Sequence, residues 1–209
     1  MIETPSPQWL EWAREIQALS QTGLTFTPNE YERERYRRLS EIAAEIVAGH
    51  TGLTKEIVQK NFLGQLGYAT PKIDVRGAVV RDDKILLVQE RMDQRWAMPG
   101  GWADVGDRPA EMVAREVWEE SGMRVVAKKV IGVYDANRGG RPLEFYHAFK
   151  IFFLCELTGG ELRPSNETLA ADFFSFEHLP PLSLNRTNEK HLAEVLAHVR
   201  DHARPAAFD

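Results

Sequence analysis

Three glutamates, Glu116, Glu119 and Glu120, stand three and four residues apart in the segment PAEMVAREVWEESG, a spacing that places them on one side of an α-helix. A helix over 108–121 is predicted there, with Asp107 as its N-cap, Pro109 accommodated in the first turn and Gly122 as its stop. Ala110, Val113, Ala114, Val117 and Trp118 fall on the opposite, packing side. Like charges so placed repel, costing roughly a few tenths of a kcal/mol per pair, and a divalent cation removes that cost. Hard Mg²⁺ takes carboxylate oxygens together with waters and substrate phosphate oxygens, so the chemistry on offer is that of a phosphate-processing site. The plainer alternative is a solvated acidic face on which Arg115 bridges to Glu119.

The neighbouring elements must hold that face in place. The loop RWAMPGGW, residues 95–102, abuts it, and Pro99, Gly100 and Gly101 let backbone approach a phosphate or offer the Gly100 carbonyl to a metal. Before the loop, strands are predicted over 73–81 and 84–89, joined at Asp82-Asp83 by a hairpin turn. After the helix come strands over 123–134, 145–157 and 172–176. A closing helix follows over 187–202, with Leu192, Val195, Leu196 and Val199 on its inner side. This order predicts an α/β fold, a mixed sheet with helices on both faces in an α/β/α sandwich.

Residues 1–66 have a different texture and form a small all-α module ahead of a domain over 67–209, with GYATPK at 67–72 punctuating the change. Trp9, Trp12, Ile16 and Leu19 mark an apolar stripe on a first helix ended by a turn at 22–28. A second helix over 29–48 carries Tyr31, Leu39, Ile42, Ala43, Ile46 and Val47, and a third spans 55–65. A module of about 60 residues buries little surface alone, so it is expected to pack on the rest of the chain or on a second subunit. The stretch YERERYRR reads as a solvated face with internal ion pairs.

The chain of 209 residues has a net charge of −5 and a pI near 5.7, which argues against a nucleic-acid surface built on general positive charge. A contact with nucleic acid through YERERYRR is the remaining route. Cys155 is the sole cysteine, so neither an internal disulfide nor a cysteine metal site can form, and within IFFLCEL it reads as a packing residue. There is no basic-then-apolar leader and no run approaching the ~18 apolar residues of a membrane helix, so a cytoplasmic protein is expected.

The segment GGWADVGDRPAEMVAREVWEESGM resembles the Nudix box: Gly, five residues, Glu, seven residues, Arg-Glu, aliphatic, any residue, Glu-Glu, any residue, Gly, aliphatic. Gly101, Arg115, Glu116, Val117, Glu119, Glu120, Gly122 and Met123 meet that pattern, and Asp107 replaces its first glutamate. WLEWAREIQALSQTGL, YERERYRRLSEIA, DVRGAVV and YHAFKIFFLCEL are similar to the helical extension and core of bacterial ADP-ribose or CDP-choline pyrophosphatases. The resemblance implies hydrolysis of a nucleoside diphosphate linked to a moiety X, giving a nucleoside monophosphate and phospho-X. It also implies Mg²⁺, or Mn²⁺ in its place, on Glu116, Glu119 and Glu120, with Arg115 orienting a glutamate, and a homodimer. Glu167 in PSNETLAADFF is the candidate general base. Arg91 is a candidate phosphate clamp, and Tyr146 and His147 could contact the base. The proline of ADP-ribose-specific members is Asn137 here, which leaves CDP-alcohols equally open. The alternatives are action on RNA ends or chains, and nucleotide sensing without hydrolysis.

Overall fold

The computed structural model describes residues 7–63, 67–104, 106–136 and 147–209. The chain divides into two compact units, Met1–Pro71 with Asn137–His147, and Lys72–Ala136 with Ala148–Asp209.

The first unit contains α1 (Gln8–Phe26), α2 (Glu30–His50) and α3 (Lys55–Leu63). Asn29 starts α2 by accepting the backbone N–H groups of Tyr31 and Glu32 at 2.9 and 3.4 Å. The turn expected from residue 22 begins only after Phe26, because α1 continues through Gly23, whose missing side chain leaves room for the ring of Tyr36. Within the expected apolar stripe, Trp9 and Ile16 do face the packed side, where Trp9 stacks on His50. Trp12 and Leu19 point outward, 56% and 61% exposed. The seam runs instead through Ala13, Ala43, Ala44 and Val47, since small side chains let α1 and α2 approach closely and leave the large ones outside. Tyr31 is likewise exposed. The charged stretch is largely solvated, as read, but its ion pairs run to neighbours outside it: Arg33 pairs with Glu30 and Arg38 with Glu41 and Glu45.

The second unit is built on β1 (Lys72–Arg81), β2 (Lys84–Glu90), β3 (Trp96–Ala97), β4 (Met123–Asp135), β5 (Ala148–Gly160), β6 (Thr168–Ser175) and β7 (Ala207–Phe208), with helices α4 (Pro109–Ser121) and α5 (Glu189–Arg200). Asp82 and Asp83, at φ 51° and 57°, form the predicted turn between β1 and β2, and both positive values match a type I′ hairpin. The sheet runs β3-β2-β1-β5-β4-β7, with β6 also pairing β2. It is mixed: β1 lies parallel to β5 and β7 parallel to β4, and the remaining pairs are antiparallel. The strand expected over 172–176 starts earlier, at Thr168, and β5 runs on to Gly160; the segment 137–146 lies outside the described residues.

Period-two alternation buries both faces of this sheet. Val75, Val79, Leu86, Phe153 and Cys155 meet Met112, Val113 and Val117 of α4 on one side. Ala78, Ile85, Leu87 and Phe152 meet Leu192 and Val195 of α5 on the other. Gly77 lets α4 sit close on β1, for a Cβ there would come within 2.6 Å of Val117 Cγ2. Cys155 packs as expected, and burial pushes its thiol up to about 12. Asn188 and His191 form a capping box at the start of α5. Among the described residues no helix is long and apolar enough to cross a membrane.

Candidate active site

Helix α4 presents its carboxylates at three depths. Glu120 turns inward, only 6% exposed, where its carboxylate accepts the Gly100 N–H at 2.9 Å. Burial pushes its pKa up to about 8, against the opposing pull of the Arg76 cation and the Gly100 N–H. Glu116 is half-buried and also raised, by burial first and then by the charge of Glu119, which stands in solvent. Gly122 ends the helix in the left-handed conformation, as predicted.

Two features of α4 depart from the sequence reading. Its N-cap is Arg108, with no side-chain cap, because Asp107 is drawn away to Arg115: the two form a bidentate pair with both contacts at 3.0 Å. That pair holds the Asp107 carboxyl below its usual range, and Arg115 reaches Glu116 at 3.5 Å rather than Glu119. Trp118 does not pack inward; it is 42% exposed, and Met112 takes the core position instead.

The floor of the site is the loop after β3. The N–H groups of Val75 and Gly77 donate to the carbonyls of Gly101 and Pro99 at 2.9 and 2.8 Å, which lays the loop along β1. Gly100 sits at φ 148° against the carbonyl of Val75, where no Cβ fits. Beneath it Arg76 donates to both oxygens of Asp74 and, at 3.2 Å, to the carbonyl of Met98. Burial works against the Arg76 cation, but Asp74 and Glu120 outweigh it and raise its pKa. Lys150 closes this buried group, 3.6 Å from Asp74.

The loop 163–168 forms the facing wall, and the last turn of α4 clamps both its ends. Arg163 N–H donates to Ser121 O at 3.0 Å, and Thr168 Oγ1 donates to Glu120 O at 2.7 Å. Arg91 holds the middle: its guanidinium donates to the carbonyls of Asn166 and Ser165, and its N–H to that of Glu167. The residue read as a phosphate clamp is therefore engaged in holding the loop that carries Glu167. The result is a cleft of about 540 Å³ lined by Glu116, Trp118, Glu119, Glu120, Arg163 and Glu167, among others. The structure thus brings the three box glutamates together with Glu167. Tyr146 lies outside the described residues, and His147 immediately precedes β5 and belongs to the first unit.

Sequence reasoning missed three residues. Glu90 ends β2, is buried, pairs with Arg186 at 3.1 Å and is raised by burial, with Glu167 among its charged neighbours. As the last residue of an apolar strand it carried no signal. Trp118 and Arg163 gave none either, since only the return of loop 163–168 makes them walls of the cleft. The donor chemistry fits a hard divalent cation: crowded carboxylates, two of them raised by burial and mutual repulsion. Among the described residues no three such side chains are already gathered into a ligand sphere.

This carboxylate helix against a mixed, doubly covered sheet defines a Nudix site, and the chain belongs to the Nudix family. The model of the NUDIX domain matches residues 71–198, and that of the UDP-X-like, N-terminal oligomerisation domain matches residues 7–62. The chain is thus an enzyme, a hydrolase of phosphoanhydride bonds, in a family that generally uses divalent metals. It is 39% identical over 202 residues, 97% of each chain, to a protein of Bacillus subtilis (strain 168) provisionally named an ADP-ribose pyrophosphatase. A crystal structure of a UDP-X diphosphatase aligns over 96% of this chain and 98% of its own, at 31% identity and a TM-score of 0.62. That of an ADP-ribose pyrophosphatase from Streptococcus suis 89-1591 covers 67% of this chain and all (100%) of its own, at 42% identity and a TM-score of 0.61.

Proposed function

We propose that this chain is a Mg²⁺-dependent pyrophosphohydrolase, with Mn²⁺ as the alternative ion, acting on a nucleoside diphosphate linked to a moiety X. ADP-ribose heads the candidates, followed by CDP-choline and UDP-linked compounds. The observation that carries the reading is the convergence of Glu116, Glu119, Glu120 and Glu167 on one cleft beside a glycine loop. ADP-ribose leads because two of the relatives described above are named for it.

Glu116, Glu119 and Glu120, with the Gly100 carbonyl, would hold the cation. When bound, it neutralises phosphate oxygens and lowers the pKa of a water molecule. Arg115 fixes the Glu116 carboxylate while tied to Asp107, so the two act by positioning. Glu167 takes the proton of the attacking water, whose oxygen bonds to one phosphorus as the bridging P–O bond breaks and the bridging oxygen leaves on the other phosphate. Arg91 serves the substrate by holding the Glu167 loop, and Tyr146 and His147 remain the residues offered to the base. The helical unit assembles two copies into a homodimer, in keeping with the oligomerisation domain it matches, and we place the enzyme in the cytoplasm.

The test is a panel of ADP-ribose, CDP-choline, UDP-sugars and capped RNA incubated with Mg²⁺, with products identified. A nucleoside monophosphate and phospho-X from a small substrate support the reading. Turnover of RNA alone, or tight nucleotide binding with no turnover, would replace it.

A further inference from the structure

The lining of the cleft is of two chemistries. Beside the carboxylates stand Trp118 and Arg163, whose guanidinium carbon lies 5.0 Å from the centre of the Trp118 ring. Among the described residues the guanidinium makes no ion pair or hydrogen bond, even though four glutamates line the same cleft. Its place is nevertheless fixed. The Arg163 N–H is bound to Ser121 O, and the stem lies over Gly122, where a Cβ would come within 2.6 Å of Arg163 Cγ. The glycine that stops α4 therefore also makes room for this arginine.

A base cannot enter between ring and guanidinium, for two stacked gaps of about 3.5 Å each exceed the separation. The stack covers one face of the guanidinium and leaves its N–H edge for a planar or tetrahedral anion. Resting on the pyrophosphohydrolase reading above, we infer that Arg163, held on Trp118, is a substrate-binding residue that takes one of the two substrate phosphoryl groups. Nucleoside diphosphates joined to X carry two such groups. The arginine binds its group equally before and during the reaction, so it acts on KM more than on kcat.

The experiment compares the full-length wild type with Arg163→Gln, Arg163→Lys and Trp118→Leu, using the panel's best substrate and, separately, inorganic pyrophosphate as a binding probe followed by calorimetry. Loss of a charge-assisted contact predicts that Arg163→Gln raises KM about tenfold or more and weakens pyrophosphate binding by a similar factor. The dependence of kcat/KM on salt should flatten. Arg163→Lys recovers part of the affinity, and Trp118→Leu behaves as a weaker copy of Arg163→Gln. Unchanged KM, salt dependence and pyrophosphate affinity in Arg163→Gln would overturn the inference, as would a change confined to thermal stability. If the wild type hydrolyses nothing in the panel, the functional reading fails, and the pyrophosphate arm still decides this one.

Discussion

The two units of this chain solve the same problem to different degrees. In the sheet unit the central strands are packed by helices on both faces, and what is held at a cost is polar: a buried carboxylate, Glu120, pushed up to about 8. In the helical unit the charges are satisfied by exposed ion pairs, and what remains is apolar: Trp12, Leu19 and Phe26 lie outside, Phe26 being 59% exposed. On the function proposed above, these groups are where each unit would meet something else, a cation and phosphate in one case and a second copy in the other.

Glu120→Gln should break the polar half of that comparison most severely. The amide still accepts the Gly100 N–H but supplies no charge, so turnover falls by orders of magnitude while the fold persists. The sign of its stability effect follows from the raised pKa. Unfolded, the carboxylate ionises near 4.5, and folded near 8, so metal-free stability falls as pH rises between those values and is flat below and above them. The expected loss approaches ~1.4 kcal/mol per pH unit across that window. Thermal melts in EDTA from pH 5 to 9 should show that decline in the wild type and a much shallower one in Glu120→Gln, which becomes the more stable protein above pH 8. A variant less stable at every pH would make Glu120 a structural anchor.

Gly100→Ala comes next. The φ of 148° and the carbonyl of Val75 leave no place for a methyl group, so the loop must shift away from Glu120. A loss of about 1–3 kcal/mol in denaturant unfolding is expected, together with most of the activity. Wild-type stability with full turnover would mean the loop is not held as described.

The apolar half is tested by Leu19→Glu combined with Phe26→Glu. Both residues are exposed within their own unit, so, on the homodimer proposed above, a monomer of normal melting temperature should appear by light scattering. An unaltered dimer would place the assembly surface elsewhere. The smallest effect belongs to Arg115→Ala. Freed from Arg115, Glu116 loses its orientation, and activity should fall roughly 10–100-fold, as for positioning residues at metal sites, with little change in melting temperature. If turnover fell no further in Arg115→Ala than in a control substitution on the exposed face of α2, the Arg115 to Asp107 pair would be only a surface contact.

How much of this was legible in the chain follows from what each signal can carry. The bounds of α4, the Asp82-Asp83 hairpin and the place of α5 rest on helical period, positive-φ turn residues and a glycine stop, which are written in sequence, whereas the N-cap of α4 depends on Asp107 turning to Arg115. The depth of Glu120 and the exposure of Trp118 are set by loops 98–101 and 163–168 returning from elsewhere, which a helical wheel does not contain. The three- and four-residue spacing puts Trp12 and Leu19 on an apolar stripe, but the small residues Ala13, Ala43 and Ala44 decide which faces meet. β3 and β7, two residues each, are too short to show a period.

The central claim, that the carboxylates of the cleft perform metal-dependent hydrolysis, is met most directly by measuring turnover of the panel's best substrate against free Mg²⁺ set with EDTA. The wild type and Glu120→Gln are to be run side by side. The wild type should show no turnover without free metal and a saturable recovery as it is restored, with Glu120→Gln flat throughout. Full activity of the wild type in excess EDTA, or a Glu120→Gln curve that overlays it, would contradict the account.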